Sequence, residues 1–132
     1  MGTGSKEPLT VFNIGYQGHT IDSFVLVLRG AGITILVDLR EKPYSRMPGF
    51  SKNKLRETLE SGGMAYRWMG SQLGGFTCTV EMWRQGCAAL AELARGGEKV
   101  AIMCMERDWQ KCHRAKLVEI LALEHKIQSL NL

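Results

Sequence analysis

The chain has 132 residues, the length of one ordinary domain, which can bury a hydrophobic core without disulfide or metal cross-links. Hydrophobic residues make up 45% of it and charged residues 23%, a balance that excludes a disordered or membrane-embedded protein. The formal net charge of +4 favours anionic partners only weakly, because a charge of this size also serves solubility.

The start of the chain and its cysteine content predict the setting of the protein. Residues 1–8 lack the apolar core of a secretory signal, so we expect a disordered leader followed by a single α/β domain over residues 9–132. No apolar run is long enough to cross a bilayer, so no membrane partner is expected. The four cysteines are then expected to stay reduced in the cytoplasm, where a thiol is a core residue, a metal ligand or a nucleophile.

Apolar runs and helical periodicities alternate along the chain. Strands are predicted at residues 10–15, 33–39, 64–69, 99–105 and 127–130. Helices are predicted to begin after Thr20, Ser51 and Thr79 and at Cys112, and to end near residues 30–32, 62–63, 96–97 and 126. This alternation predicts a Rossmann-like α/β fold, a three-layer sandwich in which helices flank a mostly parallel sheet on both faces.

The segments that follow the strands hold most of the polar and glycine-rich sequence. They are residues 15–19, 38–46, 70–78 and 104–114. Ligands of open parallel sheets bind beyond the carboxyl ends of the strands. We therefore expect these segments to converge on one edge of the sheet and to form the functional site.

The stretch MCMERDWQKCHR, residues 103–114, contains the main candidate nucleophile, Cys112. A helix that begins at Cys112 would stabilise its thiolate through free N–H groups and the helix dipole, and Lys111 and Arg114 would add positive charge. The alternative is that Cys112 only packs beneath the loop. Cys104, at the end of a strand, could assist it or belong to the core, and Cys87 is predicted to be a core residue.

Three further side chains could transfer a proton. His113 could serve as the base, but neighbours on a helix point about 100° apart, so a direct pair with Cys112 requires an irregular first turn. His19 arrives from another loop as an independent candidate. Glu106 could carry a proton if it were buried beside Cys104, or it could be an exposed turn residue.

Residues 38–56 predict how an anionic substrate would be held. Asp38 interrupts an apolar run, so it either forms a clamp with Arg40 or contacts the substrate. Six basic residues against one acid over residues 40–56, with Tyr44 and Phe50 between them, favour a nucleotide or nucleic acid, although a solvated helix face would look similar. The cysteines and histidines lack the paired spacing of a zinc site, and no particular cofactor is implied.

Four motifs together resemble a known family. NIGYQGHT, LVDLREKPYSR, GSQLGGF and MCMERDWQKCHR occur in the same order in the domain-of-unknown-function 488 (DUF488) family, and the similarity extends over nearly the whole chain from residue 10. The resemblance implies an α/β sandwich with these loops forming one pocket, and it carries no established reaction. The positions that match the family pattern are Gly15, His19, Asp38, Arg40, Pro43, Ser45, Arg46, Leu73, Gly74, Gly75, Cys104, Glu106, Cys112, His113 and Arg114.

Three functional hypotheses follow. The first is an enzyme with Cys112 as nucleophile, assisted by Cys104 and Glu106, with His19 or His113 moving a proton. In that enzyme Gly15, Asp38, Arg40, Ser45, Arg46, Gly74, Gly75 and Arg114 would bind the anionic substrate. The second is a non-catalytic module that binds phosphate or nucleic acid, and the third is a redox sensor built on Cys104 and Cys112. The oligomeric state is left open.

Overall fold

The computed structural model describes residues 9–132, so the predicted leader at residues 1–8 lies outside the described residues. The strands are β1 (Thr10–Gly15), β2 (Ile35–Asp38), β3 (Ala65–Trp68), β4 (Val100–Cys104) and β5 (Gln128–Asn131). The helices are α1 (Ile21–Gly30), α2 (Lys52–Ser61), α3 (Gly70–Leu73), α4 (Val80–Arg95) and α5 (Arg114–His125), with a 3-10 turn at Trp109–Lys111 before α5.

The strands form one five-stranded sheet in the order β3-β2-β4-β1-β5, and every neighbouring pair is parallel. The predicted three-layer α/β sandwich is thereby confirmed. The carboxyl ends of all strands lie at one edge, where Gly15 pairs with Cys104 and Asp38 pairs with Met103. β4 lies at the centre of the sheet, so the loop that follows it is central to that edge.

The core has two layers, one on each face of the sheet. In β4, Val100, Ile102 and Cys104 pack toward α4 and α5, while Ala101 and Met103 pack toward α1 and α2. This alternation follows from the pleat of a strand whose successive side chains point to opposite faces. Each residue at the end of a strand is therefore assigned to one face of the sandwich.

Several predicted helix boundaries are confirmed and others are wrong. Thr20 and Thr79 cap α1 and α4 through their side chains. Ser51 occupies the N-cap of α2 without capping it, because its hydroxyl exchanges hydrogen bonds with the backbone of Ser45. The last helix begins at Arg114 and not at Cys112, because the 3-10 turn occupies the preceding residues.

None of the helices described over residues 9–132 combines the length and apolar character needed to cross a bilayer.

Candidate cysteine site

Two cysteines and a histidine meet at the carboxyl end of the central strand. The Sγ of Cys104, the last residue of β4, lies 2.8 Å from the Sγ of Cys112, and both thiols are free. The Cys112 Sγ also lies 3.5 Å from Nδ1 of His113. Cys104 is buried and Cys112 is half-buried, so the more accessible sulfur is the one beside the imidazole.

Cys112 has an extended backbone, with φ of −113° and ψ of 156°, and lies one residue before His113, the N-cap of α5. The prediction that Cys112 occupies the first helical turn is therefore wrong. This extended conformation lets Cys112 and His113 contact each other, which neighbours within a regular helix do not do. It is the irregular start that such a contact requires.

The imidazole of His113 is held from two sides. Its Nε2 lies 2.7 Å from the carbonyl oxygen of Leu73, which only accepts hydrogen bonds, so Nε2 carries a proton and Nδ1 is left to face the sulfur. The indole of Trp83 stacks on the ring at a centroid distance of 6.0 Å, and its Nε1 donates to the carbonyl of Gly74 at 2.8 Å. A Cβ at Gly75 would come within 2.7 Å of Nδ1, so this position requires glycine for the ring to fit.

The charges of the site favour a thiolate on Cys112. The hydrogen bond with Cys104 lowers the pKa of Cys112 below its ordinary value, burial opposes this, and the hydrogen bond with His113 lowers it further. The same contact with Cys112, together with burial, raises the pKa of Cys104. Burial acts to lower the pKa of His113, but its hydrogen bond and attraction to Cys112 prevail and raise it. The pair therefore tends toward a Cys112 thiolate and a His113 imidazolium, with Cys104 as a neutral thiol.

Arg114 directly follows His113 in the chain. It is fully buried at the start of α5, and its Nη2 donates to the backbone carbonyl of Glu106. The guanidinium has no exposed surface, so the predicted direct contact between Arg114 and a substrate is not favoured by this geometry.

A short loop between α3 and α4 covers the site, and Glu41 holds it in place. The Glu41 carboxylate accepts hydrogen bonds from the backbone N–H groups of Phe76 and Thr77 and from the Thr77 hydroxyl. The hydroxyl of Thr77 is the main cause that lowers the pKa of Glu41, and the charge of His113 contributes. A Cβ at Gly74 would overlap the Glu41 side chain, so the glycine lets loop and carboxylate meet.

Asp38 and Arg40 lie on the other face of the sheet. Asp38 is fully buried and accepts from Arg40 Nε at 2.9 Å and Nη2 at 2.7 Å and from the Tyr66 hydroxyl at 2.5 Å. Arg40 also donates to the Phe50 carbonyl at 2.7 Å and lies over the Tyr16 ring. With the donors and acceptors of the pair engaged inside the protein, the geometry favours the clamp over a substrate contact for both residues.

A cleft at the same edge of the sheet lies beside the cysteine site, and the cysteines do not line it. It has a volume of about 800 Å³ and is lined by the β1–α1 loop, the loop after β4 and the end of β5, including Gly15, His19, Glu106 and Trp109. The Glu106 carboxylate accepts a hydrogen bond from the N–H of Asp108 at 3.1 Å, so this bond stabilises the loop after β4. His19 Nδ1 lies 2.9 Å from the Ser23 hydroxyl.

The structure thus distributes the predicted site residues and does not gather them in the one pocket that the family resemblance implies. Cys104, Cys112, His113 and Arg114 come together on the α4 and α5 side, with Gly74 and Gly75 in the loop above. Asp38 and Arg40 lie on the α1 and α2 side, and Ser45 binds Ser51 there through its backbone. Arg46 is exposed.

Three contributors to the site were missed by sequence analysis. The Leu73 carbonyl acts through its backbone, which a side-chain pattern does not reveal, and Trp83 lies on a helix stripe that reads as core. Glu41 is the single acid in a basic stretch, a context that gives no signal for a role in the site. Within residues 9–132, no three histidine, cysteine, aspartate or glutamate side chains are grouped as a metal site would need.

The parallel sheet with helices on both faces makes this a Rossmann-like α/β protein. Its cysteine and histidine pair lies at the carboxyl end of the central strand. The family described as "Domain of unknown function DUF488" matches residues 20–85 and 77–121 of this chain. The protein therefore belongs to the DUF488 family. No match was found among curated proteins.

Proposed function

We propose that the protein is an enzyme that uses Cys112 as a nucleophile on a nucleotide or nucleic-acid substrate. The observation that carries the proposal is the Cys112–His113 contact of 3.5 Å with the far side of the imidazole bound to Leu73 at 2.7 Å. A nucleophile beside a base, with the base oriented by a third group, is the arrangement that activates cysteine in covalent catalysis.

In this proposal the thiolate of Cys112 attacks an electrophilic centre of the substrate. The His113 imidazolium, which holds its exchangeable proton at Nδ1, donates it to the leaving group, and a neutral imidazole later accepts a proton from the water that releases the product. Trp83 and the Leu73 carbonyl keep the ring in place through both steps. Glu106 and His19 belong to the neighbouring cleft, where they would contact the remainder of the substrate.

Exposed aromatic and basic side chains support the substrate class. Phe76, on the loop above the site, is 92% exposed, and Tyr44, on the β2–α2 loop, is 74% exposed. Arg46 and Lys42 lie exposed in the same loop as Tyr44. Exposed rings next to cationic groups suit stacked bases and phosphates, and a stacking contact contributes about 1–3 kcal/mol per base. A cytoplasmic location, where thiols stay reduced, would suit such a site.

The test incubates the protein with single-stranded oligonucleotides and with nucleotide mixtures, and then measures intact mass. The expected result is a covalent adduct or a turnover product that requires Cys112 and disappears in Cys112→Ser. Cys78→Ser is the matched control, because Cys78 is a half-buried thiol that hydrogen-bonds to the Gly70 carbonyl. Salt-sensitive binding that survives Cys112→Ser, with no product, would refute catalysis and leave the non-catalytic binding module.

The 2.8 Å between the Cys104 and Cys112 sulfurs favours a second candidate, a thiol redox sensor. A hydroperoxide would be the oxidant. The Cys112 thiolate attacks its outer oxygen, which leaves a sulfenic acid on Cys112 and releases the alkoxide, which takes up a proton. The Cys104 thiol then attacks the Cys112 sulfur, water leaves, and the disulfide forms with two electrons transferred to the peroxide.

Peroxide titration followed by mass spectrometry tests the redox candidate. One equivalent of peroxide should convert both thiols to a disulfide, which lowers the intact mass by two hydrogen atoms. A dithiol reductant should restore the thiols. Cys104→Ser should stop at the sulfenic acid on Cys112. Oxidation of Cys112 to the sulfinic acid in the native protein, with no disulfide, would exclude this candidate.

A further inference from the structure

Arg114 is a buried charge without a partner charge. Its side chain has no exposed surface, and Nε and Nη1 make no hydrogen bond within the described residues. Its single bond is from Nη2 to the carbonyl of Glu106, and none of the ion pairs formed by residues 9–132 includes it. A buried guanidinium is strongly unfavourable unless a negative charge lies nearby.

The cysteine pair is the natural source of that negative charge. Arg114 is two residues from Cys112, and its charge acts favourably on a thiolate at Cys104. The two sulfurs at 2.8 Å are close enough for one proton to lie between them, with a thiol donating to a thiolate. Two neutral thiols would leave the guanidinium uncompensated, and two thiolates would repel each other.

We propose that Arg114 is a positioning residue whose buried guanidinium balances a single thiolate shared by Cys104 and Cys112, so that the resting pair holds one proton at neutral pH. The proposal replaces the predicted role of Arg114 as a substrate ligand. It rests on the proposed function, because Cys112 is the proposed nucleophile whose reactivity Arg114 would raise.

The other charges near the pair do not take over this role. His113 is the second cation, and it contacts Cys112 directly at 3.5 Å. Glu41, in the β2–α2 loop, interacts with the charge of His113, and its carboxylate is hydrogen-bonded to Phe76 and Thr77. Arg114 is the fully buried cation whose charge favours a thiolate at Cys104, so removing it would favour two neutral thiols.

The test measures the rate of Cys112 alkylation by iodoacetamide against pH in the native protein, Arg114→Met and Arg114→Lys. We expect Arg114→Met to move the midpoint of the profile to higher pH by about one unit or more, with a roughly tenfold slower reaction below the native midpoint, since there each pKa unit changes the thiolate fraction tenfold. Arg114→Lys, which keeps the charge, should restore most of the rate. Arg84→Met, which removes an exposed arginine from α4, is the matched control for net charge.

Near-ultraviolet circular dichroism checks that Arg114→Met is folded, and thiolate absorbance of the native protein provides a second measurement that needs no Arg114 variant. The absorbance at neutral pH should show one thiolate, which is lost when both Cys104 and Cys112 are replaced by Ser. An unchanged pH profile in folded Arg114→Met, or a count of zero or two thiolates in the native pair, would overturn the proposal. No substrate is present in these measurements, so failure of the enzymatic proposal alone would leave them unaffected.

Discussion

His113 is the cationic side chain in direct contact with the sulfur of Cys112. The hydrogen bond with Cys104 lowers the pKa of Cys112 and the contact with His113 lowers it further, while that contact raises the pKa of His113 against the effect of burial. The two shifts have opposite consequences for stability. The stabilisation of the folded state by ionised Cys112 is fully present above the ordinary pKa of a thiol. It is lost as the pH falls through the lowered pKa of Cys112. The stabilisation by His113 is present below its ordinary pKa and is lost as the pH rises through its raised value.

Replacing His113 by Asn should move the pH profile of Cys112 alkylation upward by about one unit or more, with a roughly tenfold slower reaction below the native midpoint, because the thiolate loses its cationic partner. The measurement is the pH dependence of iodoacetamide labelling, followed by peptide mapping. His19→Asn is the matched control, since His19 lies in the neighbouring cleft. Equal losses in both variants would contradict a specific Cys112–His113 pair.

Asp38 is the buried counter-charge of Arg40. Asp38→Asn would leave Arg40 buried without a counter-charge, and we expect the free energy of unfolding to fall by about 3–5 kcal/mol. Denaturant unfolding measures this. Glu57→Gln, which removes an exposed pair with Lys54, should change the value by less than about 0.5 kcal/mol. A small change in Asp38→Asn would show that the clamp contributes little.

At the scale of elements, the loop between α3 and α4 is fixed by one side chain. Glu41 receives the bonds of Phe76 and Thr77, and these bonds hold the pKa of the carboxyl below its ordinary value of 4.5. Since the folded pKa is lowered, the stabilisation is present above the ordinary pKa and is lost as the pH falls through the folded value. The loop over His113 is therefore expected to loosen in acid.

Glu41→Gln should remove much of this anchoring at neutral pH. We expect faster amide hydrogen exchange at Phe76 and Thr77, with exchange in β4 unchanged, because β4 is buried in the core of the sheet. Glu60→Gln, an exposed change on α2, serves as control. Unchanged exchange at both amides would show that the loop does not depend on the carboxylate.

The elements show how far sequence reasoning extends. The five strands and the helices begun by Thr20 and Thr79 were predictable, because apolar runs and capping residues are local signals. The four-residue helix α3 and the 3-10 turn at Trp109–Lys111 were missed, since neither is long enough to show a period. The start of α5 was misplaced for the same reason.

The location of the candidate site at one edge of the sheet was predictable. The division of its residues between the two faces of the sheet was not. The positions at the ends of the strands were correctly expected at one edge of the sheet, but the pleat directs them to opposite faces. Asp38 and Cys104 end neighbouring strands, and their side chains lie on different sides. The contact of Leu73 with His113 joins residues 40 positions apart through a backbone oxygen, which no residue pattern encodes.

At the scale of the whole molecule, the exposed basic side chains predict how nucleic acid would bind. If phosphate contacts dominate, affinity for a single-stranded oligonucleotide should fall steeply with added salt, with a slope of roughly −0.7 per phosphate neutralised. Arg46→Ala should reduce that slope. Arg29→Ala, on the last turn of α1, is the matched control, and a slope independent of salt would contradict an electrostatic interface.

The most direct test of the central claim compares Cys112 with Cys87 by iodoacetamide labelling across pH, with and without a pool of nucleotides and oligonucleotides. Cys87 is buried in α4, and burial raises its pKa to about 12. We predict that Cys112 labels at least about a hundredfold faster at neutral pH, that this reactivity persists in mild acid, and that a member of the pool protects it. Slow and equal labelling of both cysteines would contradict the account.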